Sequence, residues 1–194
     1  MNIDDVNLKE QMNFYNPNDR PAQLVTGQLY LAHITDVKIA EVNVRNKYKA
    51  KVYNCWVTLA KDNAGNMVKD ANGREIDSGK FAGRKIKSKG IFMFLNPQEG
   101  DTFEANNGGN EQFLKFAENI GHETKQVEIE IDGVKTEVLQ FPTLSESDIQ
   151  DKPVKVFVDK APYRDKDGNQ KEGLIVKGFE KWADGKSLQD EVPF

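Results

Sequence analysis

Apolar residues recur at every second position in at least five segments of this chain, and at helical spacing in only one. That imbalance points to a mainly β architecture. Residues 24–44, "LVTGQLYLAHITDVKIAEVNV", are rich in β-branched and aromatic side chains. Their apolar positions Leu29, Leu31, Ile34, Val37 and Ile39 alternate with one slip, as a long strand with a bulge does. Residues 47–60, "KYKAKVYNCWVTLA", form a second strand. The two-residue period puts Lys47, Lys49, Lys51 and Tyr53 on one side and Tyr48, Ala50, Val52 and Trp56 on the other. A polar excursion over 61–80 carries the tight-turn pair Asn72-Gly73. "RKIKSKGIFMFLNP" (84–97) returns as a third strand, half basic and half apolar.

The one helical pattern is "NEQFLKFAENIG" (110–121). Asn110 suits its N-cap, Glu111 its positive dipole end and Gly121 its left-handed stop, while Phe113, Leu114, Phe116, Ala117 and Ile120 make one apolar stripe. Strands then resume. "VEIEIDGVKTEV" (127–138) alternates around the Asp132-Gly133 turn, with a mostly acidic outer face of Glu128, Glu130, Lys135 and Glu137 that is a poor surface for phosphate. Residues 152–160 and 173–182 pair as a last hairpin. The organisation expected is an N-terminal arm (1–20), a β domain (21–182) and an acidic tail (183–194). The fold class expected is an OB-fold-like Greek-key β-barrel with one short helix and long hairpin loops, an architecture that holds oligonucleotides on its second and third strands.

Charge narrows the function. The formal net charge is −4, which alone argues against a nucleic-acid binder. Yet "RNKYKAK" (45–51) holds Arg45, Lys47, Lys49 and Lys51 without an acid, and "KFAGRKIKSK" (80–89) holds Lys80, Arg84, Lys85, Lys87 and Lys89 without one. The chain is an acidic body with two basic stripes. Aromatics lie beside them: Tyr48, Tyr53, Trp56, Phe81, Phe157 and Tyr163. Tyr53 and Phe157 share faces with lysines (Lys155 beside Phe157), and Tyr163-Arg164 sits on a loop, so these three are expected to face solvent. Trp56 is open between core and surface, and Phe92, Phe94 and Phe113 read as core. Single-strand binding needs both parts, cations along the phosphates and aromatic faces under the bases.

The chain closes on "DEVPF" (190–194). Asp190 and Glu191 followed by Val192, Pro193 and Phe194 resemble the tip of bacterial and phage single-stranded DNA-binding proteins, where acids precede a terminal hydrophobic-Pro-Phe. In that family the tip recruits replication and repair proteins. The order of a long loop after strand two, "GRKIKSKGIFMFL", a short helix and the closing "KPVKVFVDKAPYRDKDGNQKEGLIVKGF" hairpin is similar to phage-encoded OB-fold single-strand binders. The short tail also suits a phage protein. The resemblance implies single-stranded DNA and replication or recombination proteins as partners. Weak self-association stays open, as does the choice between DNA and RNA.

Other chemistry finds little footing. His33 and His122 have no cysteine near them, so no zinc set is recognisable, and "DNAGN" (62–66) and "DKDGN" (165–169) lack the downstream Glu of a calcium loop and read as turns. No P-loop, nucleophile elbow or dinucleotide fingerprint occurs, and no cofactor is expected. A lone cysteine, Cys55, and the absence of an apolar leader or span suggest a reducing, cytoplasmic setting without a membrane partner, the host cytoplasm for a phage protein. The expected function is therefore a non-catalytic single-stranded DNA binder. The alternative is a β-barrel interaction module whose stripes meet an acidic protein.

Overall fold

A computed structural model describes residues 23–45, 48–70, 72–95 and 107–188. Its frame is the long hairpin of β1 (Gln28–Val44) and β2 (Tyr48–Leu59), whose register runs from Ala32↔Leu59 to Val44↔Tyr48. The expected slip is a bulge between Ile34 and Asp36. Without it, the apolar side chains before and after would fall on opposite faces. The third strand is broken in two. β5 (Lys85–Lys87) pairs with β2 at Trp56–Thr58, and β6 (Ile91–Leu95) pairs with it at Lys49–Tyr53. Gly90 sits in the break. A Cβ there would lie 2.9 Å from Val52 Cγ1, so only glycine lets the chain turn so close to β2.

The last hairpin, β9 (Pro153–Arg164) and β10 (Gln170–Lys181), returns to the start, because β9 pairs antiparallel with β1 from Gln28↔Val158 to His33↔Pro153. The sheet order β10-β9-β1-β2-β5, with β6 also on β2, places the returning strand beside the first. That is the Greek-key order. The two ends of the sheet meet through one parallel bridge, Ser88↔Val176, braced by Lys89 N–H donating to the Val176 carbonyl. The result is a barrel-like, partly open β sheet without a continuous closing ladder. Both strands of the last hairpin outrun the expected limits, and its turn shrinks to 165–169, where Asp165 accepts from the backbone of Asp167 and Asn169.

Two shorter hairpins stand apart from this sheet. β3 (Met67–Lys69) and β4 (Glu75–Asp77) fill the polar excursion, and β7 (Lys125–Ile131) and β8 (Val134–Gln140) turn through Asp132 and Gly133, both at positive φ. The helix α1 (Asn107–Asn119) begins three residues before its expected cap. Asn110 does different work. Fully buried, it accepts from Phe94 N–H and donates to the Phe94 carbonyl, sealing the open edge of β6. The helix ends as expected, with Gly121 at φ 91°. A one-turn helix, α2 (Glu146–Ile149), was not foreseen; the Asp148 carboxylate accepts from the backbone N–H and hydroxyl of Ser145 and starts it.

One core joins these parts. Tyr30, Ala32, Ile34, Tyr53, Cys55, Val57, Val154, Val156, Val158 and Val176 line the inner face of the sheet, and Phe113, Phe116, Ala117 and Ile120 of α1 pack into it. Burial pushes the Cys55 thiol up to about 12. The thiolate is the reactive form, so at pH 8 a disulfide-exchange reagent is expected to modify native Cys55 only as fast as the chain unfolds. Rapid stoichiometric labelling of folded protein would contradict this placement.

Candidate nucleic-acid interface

Because β2 alternates without a break, its even-numbered residues define the outer face. Register extends that face to Asp36, Lys38, Ala40 and Val42 on β1, Lys85 and Lys87 on β5, and Phe92 and Phe94 on β6. Trp56 lies half-buried between Asp36 and Lys87, with the Lys87 Nζ 5.1 Å from its ring centroid. Across the outer face Thr35 Oγ1 and Thr58 Oγ1 meet at 2.9 Å and pin the bulge beside it. Farther along, Phe92 and Phe94 stack at 6.1 Å and 18° over a floor of Val52 and Ala50. These two rings correct the expectation of core: both are half-buried and outer. The run "IFMFL" has no polar alternation, so its outward face carried no signal in the sequence.

The inner face gives the opposite correction. Tyr53 shares its side with Lys49 and Lys51 as expected, but that side is the core side. Tyr53 is 1% exposed and stacked on Phe113 at 5.3 Å, with its hydroxyl toward Met93 Sδ. Phe81 is also buried, edge-on to Tyr30 at 6.2 Å. Neither ring is open to a base. Lys49 is exposed and Lys51 half-buried where β2 runs beyond the core, and Arg45 is exposed at the turn with φ 53°. The two basic stripes thus lie on opposite faces of the sheet. Lys47 and the Tyr48 side chain fall outside the described residues, as do 1–20 and the tip residues Asp190, Glu191, Val192, Pro193 and Phe194.

The second stripe stays together. Lys80 and Arg84 are exposed at the approach to β5, Lys85 and Lys87 point outward from it, and Lys89 follows at a cleft shared with Lys115, Lys177 and Phe179. Among the described residues no ion pair engages any of the five. The β9–β10 hairpin differs. There Lys177 meets Asp159 at 2.5 Å, Lys171 meets Asp165 at 2.7 Å and Lys160 meets Glu172 at 3.8 Å. The lysine contacts hold the Asp159 and Asp165 carboxyls below the usual carboxylate range. Three of the hairpin's cations are thus answered by its own acids, while among the described residues Lys155, Lys166, Lys181 and Arg164, the last beside exposed Tyr163, have no ion pair. Tyr163 lies across Gly173, where a Cβ would come within 3.1 Å of its ring.

Lys155 and Phe157 also face outward on β9, but a strap separates them from Trp56. After β10 the chain crosses the sheet: His33 Nε2–H donates to the Lys186 carbonyl at 2.8 Å, the His33 and Trp182 rings approach to 5.4 Å, and Gly185 packs against Pro153. Residues 183–188, expected as free tail, therefore rest on the sheet. Beyond the strap, Leu29, Leu31, Met67 and Phe157 line a groove of about 670 Å³ with Lys155 and Glu180 at its side.

Neither a protein-family model nor a curated protein sequence matches the chain. Among the described residues no three His, Cys, Asp or Glu are grouped to hold a metal ion, and no helix is long and apolar enough to cross a membrane.

Proposed function

We propose that this chain is a non-catalytic single-stranded DNA-binding protein, of phage type, that holds the strand on the outer face of β1, β2, β5 and β6. One observation carries the reading. Trp56 under Lys87 and the stacked Phe92–Phe94 pair share a face with Lys85 and Lys87, which no ion pair engages among the described residues. Such a surface offers both parts that single-strand binding needs, a positive track for phosphates and partly exposed aromatic rings for bases. Trp56, Lys85, Lys87, Phe92 and Phe94 are the contacts assigned, with Arg84 and Lys89 at the margins. Lys49 and Lys51, on the other face, are not needed for that path.

Binding is expected to prefer single strands to duplex and to depend little on sequence. Each phosphate neutralised on a single strand adds about −0.7 to the slope of log K against log salt. With three or four of the cations engaged, the slope falls at about −2 to −3. Filter-binding titrations of poly(dT), poly(rU) and duplex at several salt concentrations measure it. A flat salt response, or equal affinity for duplex, would overturn the reading.

The tip residues 190–194 then serve as a recruiting segment for replication or recombination proteins. Among the described residues, the core and the strap are built from residues no later than Leu188. Deleting residues 189–194 is expected to leave the melting temperature unchanged and DNA affinity unchanged or higher, since it removes Asp190 and Glu191. Unfolding of the truncated chain would make Phe194 a structural plug instead.

A further inference from the structure

Among the described residues the β7–β8 hairpin forms a sheet of its own, apart from the main one. Its strands pair with each other and with no other strand, so both of its edges are unpaired among the described residues. Val134 at its tip is 64% exposed. An isolated two-stranded hairpin is marginal in water, and unpaired edges are usually covered or blunted. One face of this arm also works against itself. Glu128 and Glu137 stand directly opposite each other in register, and like charges so placed are destabilising. Lys135, opposite Glu130 in register, reaches across to Glu128 at 2.7 Å, and among the described residues no ion pair engages Glu130 or Glu137.

The complementary surplus lies on the same chain. Lys49 and Lys51 lie toward the end of the β1–β2 hairpin on the face away from Trp56, Lys51 opposite Glu41 in register, and Arg45 is exposed at the turn; no ion pair engages the three among the described residues. Among the described residues no ion pair joins this basic end to the acidic arm within one chain either. We propose that the arm of one copy docks through Glu128, Glu130 and Glu137 onto Arg45, Lys49 and Lys51 of a second copy. The two surfaces differ, so the contact is heterologous: each copy offers one arm and one basic end, and copies join head to tail. The association is weak and salt-sensitive, since both surfaces are exposed. It leaves the outer face of the sheet uncovered, and it stands whether or not nucleic acid binds there.

Sedimentation without nucleic acid tests this. At about 0.01 M salt, where the Debye length is about 30 Å, the parent chain is expected to gain average mass with concentration. At about 0.15 M salt, where that length is about 8 Å, the gain shrinks. The double variant Glu130→Lys/Glu137→Lys and the double variant Lys49→Glu/Lys51→Glu are each expected to stay monomeric at low salt. Their equimolar mixture regains the association, because the basic arm of one now meets the acidic end of the other. A parent monomeric at low salt, variants that associate as the parent does, or a mixture that stays monomeric would each overturn the proposal. If circular dichroism shows a reversal to be unfolded, Glu137→Gln and Lys51→Gln carry the same test. Each is expected to weaken association several-fold, and an unchanged association overturns the proposal.

Discussion

Replacing Tyr53 with alanine is expected to remove about 3–5 kcal/mol of stability, the range for deleting a buried aromatic ring from a packed core. Tyr53 is 1% exposed, stacked on Phe113 of α1, and flanked in register by Ile39 and Ile91. Removing its ring empties the joint where helix and sheet meet. For a chain of this size a loss of 1 kcal/mol lowers the melting temperature by about 2–4 °C, so the shift should be of order 10 °C. Tyr53→Phe is the control. It keeps the ring and gives up only a 3.8 Å approach of the hydroxyl to Met93 Sδ, a distance at which little hydrogen bonding survives. Its stability is expected to stay within about 1 kcal/mol of the parent. Thermal melts of the two variants decide the placement. If Tyr53→Ala melts with the parent while losing affinity for single strands, Tyr53 belongs to a binding face after all.

The same residue marks how far the sequence could be read. Period-two spacing states which residues share a face, and it holds along β2 from Lys49 to Trp56. It does not state which face is inside when a strand is longer than the core beneath it. The side that carries Lys49 and Lys51 over open ground carries Tyr53, Cys55, Val57 and Leu59 over the core, because Phe113 and its neighbours cover only that part. A lysine next in line is thus weak warrant for an exposed aromatic. Phe92 and Phe94 hid for the converse reason, inside a run with no polar residue to break the tie. The bulge, the helix stripe and the Asp132-Gly133 turn were legible because each is fixed by neighbours within a few residues. Contacts between distant segments had no local signature: the Asn110 seal on β6, the strap from Lys186 to His33, and the break at Gly90 that puts Phe92 beside Val52.

Trp56 is where the function is most exposed to test. If a base stacks on it, Trp56→Ala is expected to cost about 1–3 kcal/mol of binding, roughly a fivefold to 150-fold loss of affinity. Phe92→Ala is expected to cost a similar amount. Lys85→Glu/Lys87→Glu acts through a different term. It removes two phosphate contacts, so the slope of log K against log salt should flatten by about 1.4, and the new acids should weaken binding further by repulsion. The Lys87 change also strips the cation from over the Trp56 ring, so the two effects are not additive. Stability moves little by comparison. Trp56 lies on the outer face, away from Phe113, and its removal should lower the melting temperature less than Tyr53→Ala does. Measuring the aromatic and the charge variants together separates nucleic acid from an acidic protein partner. Both ligands lose affinity on charge reversal and both respond to salt, but only a strand of bases requires the Trp56 and Phe92 rings while preferring single strands to duplex. Loss confined to the lysine variants, with Trp56→Ala and Phe92→Ala binding as the parent does, would remove base stacking from this face and leave a surface that reads charge alone.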